Sequence, residues 1–423
     1  MELTQEERDI LDGKQGETLA KVMRTLVEYG EAFGATRMVK VTAPGHLVTS
    51  FGISILEANF RLMDELIKAG LKTKEPFTVD PRPIDNADVP ASLVQKVVGA
   101  VTYSKQDSYE RQLRAVGLKD ENAFTCACYL PEVGNTPKRG DILSWAESSA
   151  VVYANSVLGA RCNRNSGFID LFGNIVGEVP EFGFLTDEGR KATWVVDVEC
   201  SEKPQAQVLG SAIGMKVMDE VPYIRGLDKW LGGTLDDAAK AYLKDMGAAT
   251  ASNGAVGLYH VAGITPEAVN LGESLIAEGA KHYVIDDAEL ERVKASYPNI
   301  WENPEARPRL AFIGCPHCSL EQLKDWAHRI PEALAREGRT RVAVPTVVSS
   351  APDVLAAFDD TSEKRKLLAT GAKLTYICPL MYMDNPATDI PVVTCSNKLR
   401  TYTSARYFDE EDLLRIIASG RIG

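Results

Sequence analysis

The residues best suited to chemistry are thiols in the C-terminal part of the chain. The segment RLAFIGCPHCSL places Cys315, His317 and Cys318 within four positions, and Cys378 follows further on in LTYICPL. Thiolates act as nucleophiles, redox groups and metal ligands. A single cysteine is more often a small buried hydrophobe, so a shared role requires that the fold bring these thiols together.

The predicted strands and helices around these thiols indicate that the fold brings the thiols together. Residues 310–313 form an unbroken apolar run, which predicts a strand buried on both faces, and Ser319 is the expected N-cap of the following helix. Residues 342–348 and 374–377 predict two further buried strands, with a helix at 363–370 between them. Parallel strands end at one edge of a sheet, where open α/β sheets bind ligands. We therefore expect Cys315 and Cys378 to lie at the same edge.

Three kinds of site match the pattern Cys315-Pro-His-Cys318. A thioredoxin-like redox pair needs this motif early in a small domain. A structural zinc site needs a second pair at similar spacing, whereas Cys126 and Cys128 are separated by one residue. An iron or iron–sulfur site can use thiolates that are distant in sequence and leave a coordination position open for substrate. The residues alone leave these alternatives open.

A second group of polar residues lies between positions 123 and 167. Short side chains lose little rotamer entropy when they are fixed, so this block suits a pocket floor, although a tightly packed helix would use the same residues. The two arginines offer donors for a carboxylate or phosphate, or form a solvated charge cluster. His46 follows a predicted strand at 38–42 and is either a substrate contact or a satisfied structural histidine. The polar candidates in the block are Glu147, Ser148, Ser149, Asn155, Arg161, Asn163 and Arg164.

Composition narrows the classes of function. The chain has 423 residues, 45% of them hydrophobic, with 47 basic and 59 acidic residues and a net charge of −12. This acidity argues against nucleic acid as the main partner. No stretch approaches the length of a membrane span, and the acidic N-terminus is unlike a signal peptide. We therefore expect a cytoplasmic protein. In such a reducing compartment, the eight scattered cysteines are more often metal ligands, catalytic groups or core residues than disulfides.

The rest of the chain predicts α/β structure. Thr4 and Glu7 have the spacing of a capping box, and residues 16–30 and 54–70 form amphipathic helices. Residues 73–88 form a polar, proline-rich connection, and residues 266–300 are charged and predicted to be helical. No internal repeat or low-complexity tract is evident.

Several segments together resemble one known family, aconitase X, and in particular its large catalytic subunit. The resemblance covers nearly the whole chain and is most distinctive from Trp145 to Arg164. The segments that carry it are LTQEERDILDGKQG, TCACYLPEVGNTPKRGD, WAESSAVVYANSVLGARCNR, NGAVGLYHVAGITPEA, FIGCPHCSLEQL and VVTCSNKLRTY.

The resemblance implies an aconitase-like, multi-domain α/β architecture in which parallel or mixed sheets are flanked by helices. It implies a hydro-lyase that uses an iron–sulfur cluster or mononuclear iron, held by Cys126, Cys315 and Cys378. It also implies a small subunit that carries the swivelling domain and completes the active site in trans. Extra thiols at Cys128, Cys162 and Cys395 depart from the family pattern.

The resemblance implies that the whole chain is a catalytic large subunit, and we expect it to divide into sub-domains 1–200, 201–300 and 301–423. The first holds Cys126 and the Ser/Asn/Arg block, and the last holds the other two cysteines of the proposed site.

Within the family, two substrates fit a dehydratase: cis-3-hydroxy-L-proline and 5-phosphomevalonate. The acidic composition favours the first, because a phosphate calls for more basic contacts. The polar block and Lys398 are expected to hold the substrate, and Ser396, His46, His317 or Glu147 to act as the base. The alternatives from other classes are a non-catalytic iron–sulfur sensor and an acidic scaffold.

Overall fold

The computed structural model describes residues 1–48, 57–385, 387–388 and 390–422. Its strands are β1 Met38–Lys40, β2 His46–Leu47, β3 Thr78–Val79, β4 Ile142–Trp145, β5 Arg161–Arg164, β6 Glu178–Pro180, β7 Ala192–Val198, β8 Pro222–Arg225, β9 His260–Val261, β10 Ile276–Ile285, β11 Leu310–Cys318, β12 Thr346–Ser350, β13 Lys373–Thr375, β14 Val392–Thr394 and β15 Arg406–Tyr407.

Its helices are α1 Gln5–Leu11, α2 Glu17–Ala32, α3 Glu57–Lys68, α4 Leu93–Thr102, α5 Gln106–Val116, α6 Ser148–Tyr153, α7 Gly167–Val176, α8 Ala206–Val217, α9 Asp228–Leu231, α10 Asp237–Asn253, α11 Pro266–Leu271, α12 Asp287–Ala295, α13 Leu320–Arg336, α14 Pro352–Asp359, α15 Ser362–Ala369, α16 Pro379–Met383, α17 Asn397–Tyr402 and α18 Glu410–Ser419. A turn of π-helix, Ala154–Leu158, follows α6. None of these helices is long and apolar enough to cross a membrane.

Three parallel sheets follow one another along the chain. The N-terminal sheet has the order β3-β2-β4-β5, the middle sheet β10-β7-β8-β9 and the C-terminal sheet β13-β12-β11-β14-β15. Strands β1 and β6 form a separate antiparallel pair. This arrangement confirms the predicted α/β class. Strand β7 belongs to the middle sheet although it lies before residue 200, and the sub-domain boundaries stay a prediction.

The C-terminal sheet follows the prediction closely. All nine residues of β11 are buried, as the apolar run predicted, and the strand extends beyond residue 313 to Cys318. Ser319 caps α13 in a capping box with Gln322. The predicted strand at 342–348 begins later, at Thr346, directly after Pro345, whose nitrogen has no hydrogen to donate to a sheet.

The register of β11 breaks between Ile313 and Cys318, where the thiol segment leaves the ladder. Gly314 stands at this break with a φ of 102°. A Cβ atom at this position would lie 2.3 Å from the carbonyl oxygen of Ser349 in β12. Only glycine therefore allows the two strands to approach at the point where Cys315 leaves the sheet.

The N-terminal part contains the predicted capping box of Thr4 and Glu7 at the start of α1. The predicted helix at 54–70 is observed as α3, and residues 54–56 of that prediction lie outside the described ranges. The connection at 73–88 contains a short strand, β3, which the sequence analysis missed. Its two residues are both buried and pair with β2.

The prediction for residues 266–300 was wrong in its middle part. Residues Ile276–Ile285 form β10, the edge strand of the middle sheet, between helices α11 and α12. Most residues of this strand are partly or fully exposed, so its sequence lacks the alternation of buried and exposed positions that would indicate a strand. Parallel pairing with β7 fixes the strand, and that contact is remote in sequence.

Replacing Gly314 by alanine should destabilise the protein, because the new methyl group meets a backbone oxygen and the positive φ is unfavourable for alanine. We expect the free energy of unfolding to fall by about 3 kcal/mol or more in a denaturant titration. Gly338→Ala is the matched control, since its φ is 64° and nothing lies within 4 Å of the added Cβ. Equal losses for the two variants would contradict the close approach at Gly314.

Candidate active site

A cavity of about 470 Å³ lies where the strands of two sheets end. Residues after β2, β3 and β4 form one wall, and residues of β11 or after β13 and β14 form the other. Carboxyl ends of parallel strands are the usual ligand site of α/β sheets. The lining residues are Val48, Asp80, Pro81, Cys126, Ala146, Glu147, Ser148, Gly314, Cys315, Cys378, Pro379, Leu380, Met381, Asp384, Lys398 and Tyr402.

The three cysteines singled out by sequence all line this cavity. Cys126 comes from the N-terminal part, and its sulfur accepts a hydrogen bond from the backbone nitrogen of His317 at 3.4 Å. Cys315 lies on β11, and Cys378 is the N-cap of α16, with its backbone nitrogen bonded to the carbonyl of Arg82. The fold thus gathers thiols from three distant segments onto one surface.

Burial keeps these thiols protonated in the absence of a metal. It raises the pKa of Cys315 to about 12 and opposes the effect of the nearby Lys398 ammonium. Burial also raises the pKa of Cys126 and of Cys378 above the usual thiol range. A bound metal ion reverses this preference, because it stabilises the thiolate directly.

The donor set decides which kind of metal group the cavity suits. Among the residues that the structure describes, no group of three or more His, Cys, Asp or Glu side chains is arranged to hold a metal ion. Thiolates on one ion lie about 2.3 Å from it, so they must be close to one another. Thiolate sulfur is a soft donor that suits iron and iron–sulfur groups alike. The chemistry of the thiols on this cavity therefore fits an iron-containing group.

A buried ion pair joins the two walls of the cavity. Lys398, on α17, donates to Glu147 Oε1 at 2.5 Å and to Ser149 Oγ at 3.2 Å. Glu147 caps α6 by accepting hydrogen bonds from the Ala150 nitrogen and the Ser149 hydroxyl. Both charged side chains are less than a tenth exposed.

The pair holds both groups in their charged forms. Burial alone would raise the pKa of Glu147. Lys398 and the helix-capping hydrogen bonds outweigh this effect, so the pKa of Glu147 lies below its usual value. Burial likewise opposes the charge of Lys398, yet the Glu147 carboxylate raises the pKa of Lys398 above its usual value. The cavity therefore contains one fixed carboxylate and one fixed ammonium in contact.

His46 lies behind the cavity wall. Its ring is fully buried, with Nδ1 2.9 Å from the Thr78 hydroxyl and Nε2 3.8 Å from a carboxylate oxygen of Asp80. Burial lowers the pKa of His46 to about 4, so the ring is neutral near pH 7. Asp80, which lines the cavity, stands between this histidine and the open space.

Ser396 and His317 have their hydrogen-bonding groups engaged by the protein. The Ser396 hydroxyl donates to the carbonyl of Cys315 and accepts from the Leu399 nitrogen as the N-cap of α17. Burial lowers the pKa of His317 to about 3, and both ring nitrogens have partners. Neither residue lines the cavity, so we leave both out of the set of candidate bases.

The structure separates the predicted polar block into two groups. Ser148 lines the cavity and Ser149 contacts Lys398. Two asparagines instead hold backbone: Asn155 bonds the Cys162 backbone and the Gly257 carbonyl, and Asn163 bonds Phe182 and Phe184.

Both arginines of the block also have structural partners. Arg161 donates to the Leu185 carbonyl and to Asp187, and Arg164 donates to the Ala255 carbonyl. These hydrogen bonds support β5 and the segments around it, and the residues that make them are Asn155, Arg161, Asn163 and Arg164. Of the residues predicted to form the pocket floor, those at the start of α6 therefore lie at the cavity.

Sequence reasoning missed three polar residues that line the cavity: Asp80, Asp384 and Tyr402. Asp80 follows the two-residue strand β3, which is too short to show a sequence pattern, so its place at a strand end was not recognised. Asp384 ends the short helix α16 after Cys378, and Tyr402 ends α17 after Lys398. Their positions depend on where these short helices point, which no local pattern indicated.

Comparisons with known proteins identify the family of this chain. Family models described as the aconitase X first domain and second domain match residues 1–188 and 192–295. The phosphomevalonate dehydratase large subunit of Thermococcus kodakarensis is 32% identical over 85% of this chain and 83% of its own. The cis-3-hydroxy-L-proline dehydratase of Pseudomonas aeruginosa is 27% identical over 89% of this chain, which spans 61% of that protein.

The fold is similar to that of a protein whose structure has been solved. The crystal structure of Thermococcus kodakaraensis aconitase X in its holo-form matches 98% of this chain and 99% of that chain, with a TM-score of 0.80 and 30% sequence identity. The similarity confirms the aconitase-like architecture, and the named activities of the relatives are dehydrations. The chain therefore belongs to the aconitase X family, as a large subunit, and is a hydro-lyase.

Proposed function

We propose that this chain is the catalytic large subunit of a phosphomevalonate dehydratase, which removes water from 5-phosphomevalonate. The relatives with that name are more similar to the chain than the cis-3-hydroxy-L-proline dehydratases are. This reverses the substrate preference drawn from composition, since overall net charge does not describe one cavity. The observation that carries the chemistry is a cavity where three thiols face a buried carboxylate and ammonium.

Cys126, Cys315 and Cys378 are the proposed ligands of an iron–sulfur cluster. When bound, the cluster supplies a Lewis acid that favours departure of the substrate hydroxyl. The support for this assignment is the shared position of the three thiols on the cavity and their soft donor chemistry. Mononuclear iron is the alternative, because the same soft donors would also suit a single iron ion.

The buried ion pair provides the remaining chemistry of this chain. Lys398 is positioned to bind the substrate carboxylate, and Glu147 alone among the four predicted bases lines the cavity. Its low pKa keeps it ionised, as a proton acceptor must be. A substrate carboxylate that competes for Lys398 would loosen the pair and make Glu147 more basic. Glu147 takes the proton, hydroxide leaves the neighbouring carbon and a double bond forms between the two carbons. The hydroxide together with the proton held by Glu147 then makes up the water that is released.

The charges of the cavity support a second candidate substrate. Three carboxylates, from Asp80, Glu147 and Asp384, line it, and Lys398 is the single Lys or Arg among the lining residues that the structure describes. The ammonium group of cis-3-hydroxy-L-proline would match such a wall. A phosphate needs further cations, and we place these on the small subunit.

The assignment as a large subunit also leads to a proposed protein partner and a proposed cellular location. The printed name of the relatives, large subunit, implies a small subunit, which we propose carries the swivelling domain and closes the cavity. All eight cysteines are free, which fits a reducing compartment such as the cytoplasm. Because the family's named activities are dehydrations, the sensor and scaffold alternatives lose their support.

The substrate assignment predicts turnover of 5-phosphomevalonate by the anaerobically purified complex of this chain with its small subunit. We expect an unsaturated acid, followed by ultraviolet absorbance and identified by mass spectrometry. Turnover of cis-3-hydroxy-L-proline alone would favour the second candidate. Turnover of neither compound, by protein that holds its metal, would reject both.

Replacing any one of Cys126, Cys315 and Cys378 by alanine should remove most of the iron and the visible absorbance of the complex. Each variant loses one of three ligands, while the others cannot span the cluster alone. Cys128→Ala is the matched control, because this thiol is buried two positions from Cys126 and does not line the cavity. Full iron content in the three variants would disprove the ligand assignment.

Glu147→Gln should lower kcat by about 10²- to 10⁴-fold, the usual contribution of a general base, while the iron content stays unchanged. In the wild type, kcat should fall at acidic pH as Glu147 becomes protonated, and this limb should vanish in the variant. The control is Glu188→Gln, whose carboxylate is 86% exposed. A wild-type rate in Glu147→Gln would exclude Glu147 as the base.

A further inference from the structure

His317 occupies an unusual position among the three proposed ligands. It lies two residues after Cys315 on β11, its side chain is fully buried, and it does not line the cavity. Its ring Nδ1 is 3.0 Å from the hydroxyl of Thr125, the residue before Cys126. Its Nε2 is 3.3 Å from the carbonyl of Ile377, the residue before Cys378. One imidazole thus touches both other cysteine segments.

The partners fix the direction of every hydrogen bond. A carbonyl oxygen only accepts, so Nε2 carries the hydrogen and donates to Ile377. Nδ1 then accepts from the Thr125 hydroxyl, whose oxygen in turn accepts from the Ala127 nitrogen at 3.0 Å. The ring, in one tautomer, therefore links the segments of Cys126 and Cys378 to its own strand.

Backbone contacts of the same residue add to this link. The His317 nitrogen donates to the Cys126 sulfur at 3.4 Å, and the His317 carbonyl accepts from Lys244 at 3.1 Å. The Ile377 carbonyl also accepts from the Ser349 hydroxyl at 2.8 Å. Thr125 and Ile377, the two hydrogen-bond partners of the ring, thus each make a second hydrogen bond. The ring therefore cannot shift without breaking several hydrogen bonds.

We propose that His317 is a positioning residue that sets the spacing of Cys126, Cys315 and Cys378 for their shared metal group. This inference rests on the proposed function, because it concerns the cluster that the three cysteines bind. Groups that orient ligands through hydrogen bonds contribute about 10- to 100-fold to metal affinity. An imidazole that spans two ligand segments fixes the ligand spacing before the metal arrives.

The test uses the complex of large and small subunits, reconstituted anaerobically with iron and sulfide. The measurements are iron content, the visible spectrum and the half-life of the cluster in excess chelator. His317→Ala should shorten that half-life by about 10-fold or more, and His317→Gln should restore part of it, since its amide can donate to Ile377 and accept from Thr125. Thr125→Val should act in the same direction without removing the ring.

His260→Ala is the matched control for loss of a buried histidine. That ring is 1% exposed and its Nε2 lies 2.8 Å from the Arg190 carbonyl, away from the three cysteines. It should lower the unfolding temperature without changing the chelator half-life. If His317→Ala proves unable to fold, Thr125→Val carries the test alone.

The outcomes separate the two proposals. A wild-type complex that takes up no iron after reconstitution overturns the proposed cofactor. A wild-type complex that holds its cluster, together with unchanged half-lives in His317→Ala and Thr125→Val, overturns the role of His317 and leaves the proposed function in place. Half-lives shortened in both variants, but not in His260→Ala, support the inference.

Discussion

The site depends on one geometric constraint, which is that all strands of a parallel sheet end on the same side. Two such sheets, one N-terminal and one C-terminal, direct their carboxyl ends at a common cavity. Asp80, Glu147, Cys315 and Lys398 are placed there because each lies at or beyond a break or an end of its strand. Glu147 and Lys398, which are 251 positions apart in sequence, thereby come into contact.

The buried pair of Glu147 and Lys398 is the most demanding feature of the cavity. Removing two charges from water is costly, and their attraction compensates only when the geometry is good and the remaining hydrogen bonds are made. Here Ser149 and the start of α6 supply those hydrogen bonds. A pair of this kind is ready to exchange one partner for a substrate carboxylate, which couples substrate binding to the basicity of Glu147.

Sequence patterns predicted the parts of the fold that local physics controls. The buried strand before Cys315, the cap at Ser319 and the capping box at Thr4 all follow from short-range hydrophobicity and hydrogen bonding. Strand β10 escaped prediction because its pairing with β7 is remote in sequence and its exposed side chains resemble a charged helix. The two-residue strand β3 is too short to carry a pattern, and Asp80 was missed with it.

The candidate site, like the fold, was predicted only in part. Resemblance to the family identified the three cysteines, and the structure places them on one cavity. The arginines of the polar block were predicted to bind an anion, but their side chains have carbonyl and carboxylate partners within the protein. The contacts of His317 were invisible in sequence, since they depend on where two other segments end.

The central claim is that three cysteines from distant segments bind one iron–sulfur cluster. The most direct measurement is anomalous diffraction at the iron absorption edge, from crystals of the complex of both subunits grown without oxygen. The account predicts a single group of iron sites bonded to the sulfurs of Cys126, Cys315 and Cys378, in the cavity that Glu147 and Lys398 also line. Iron held elsewhere, or held without one of these three sulfurs, would contradict it.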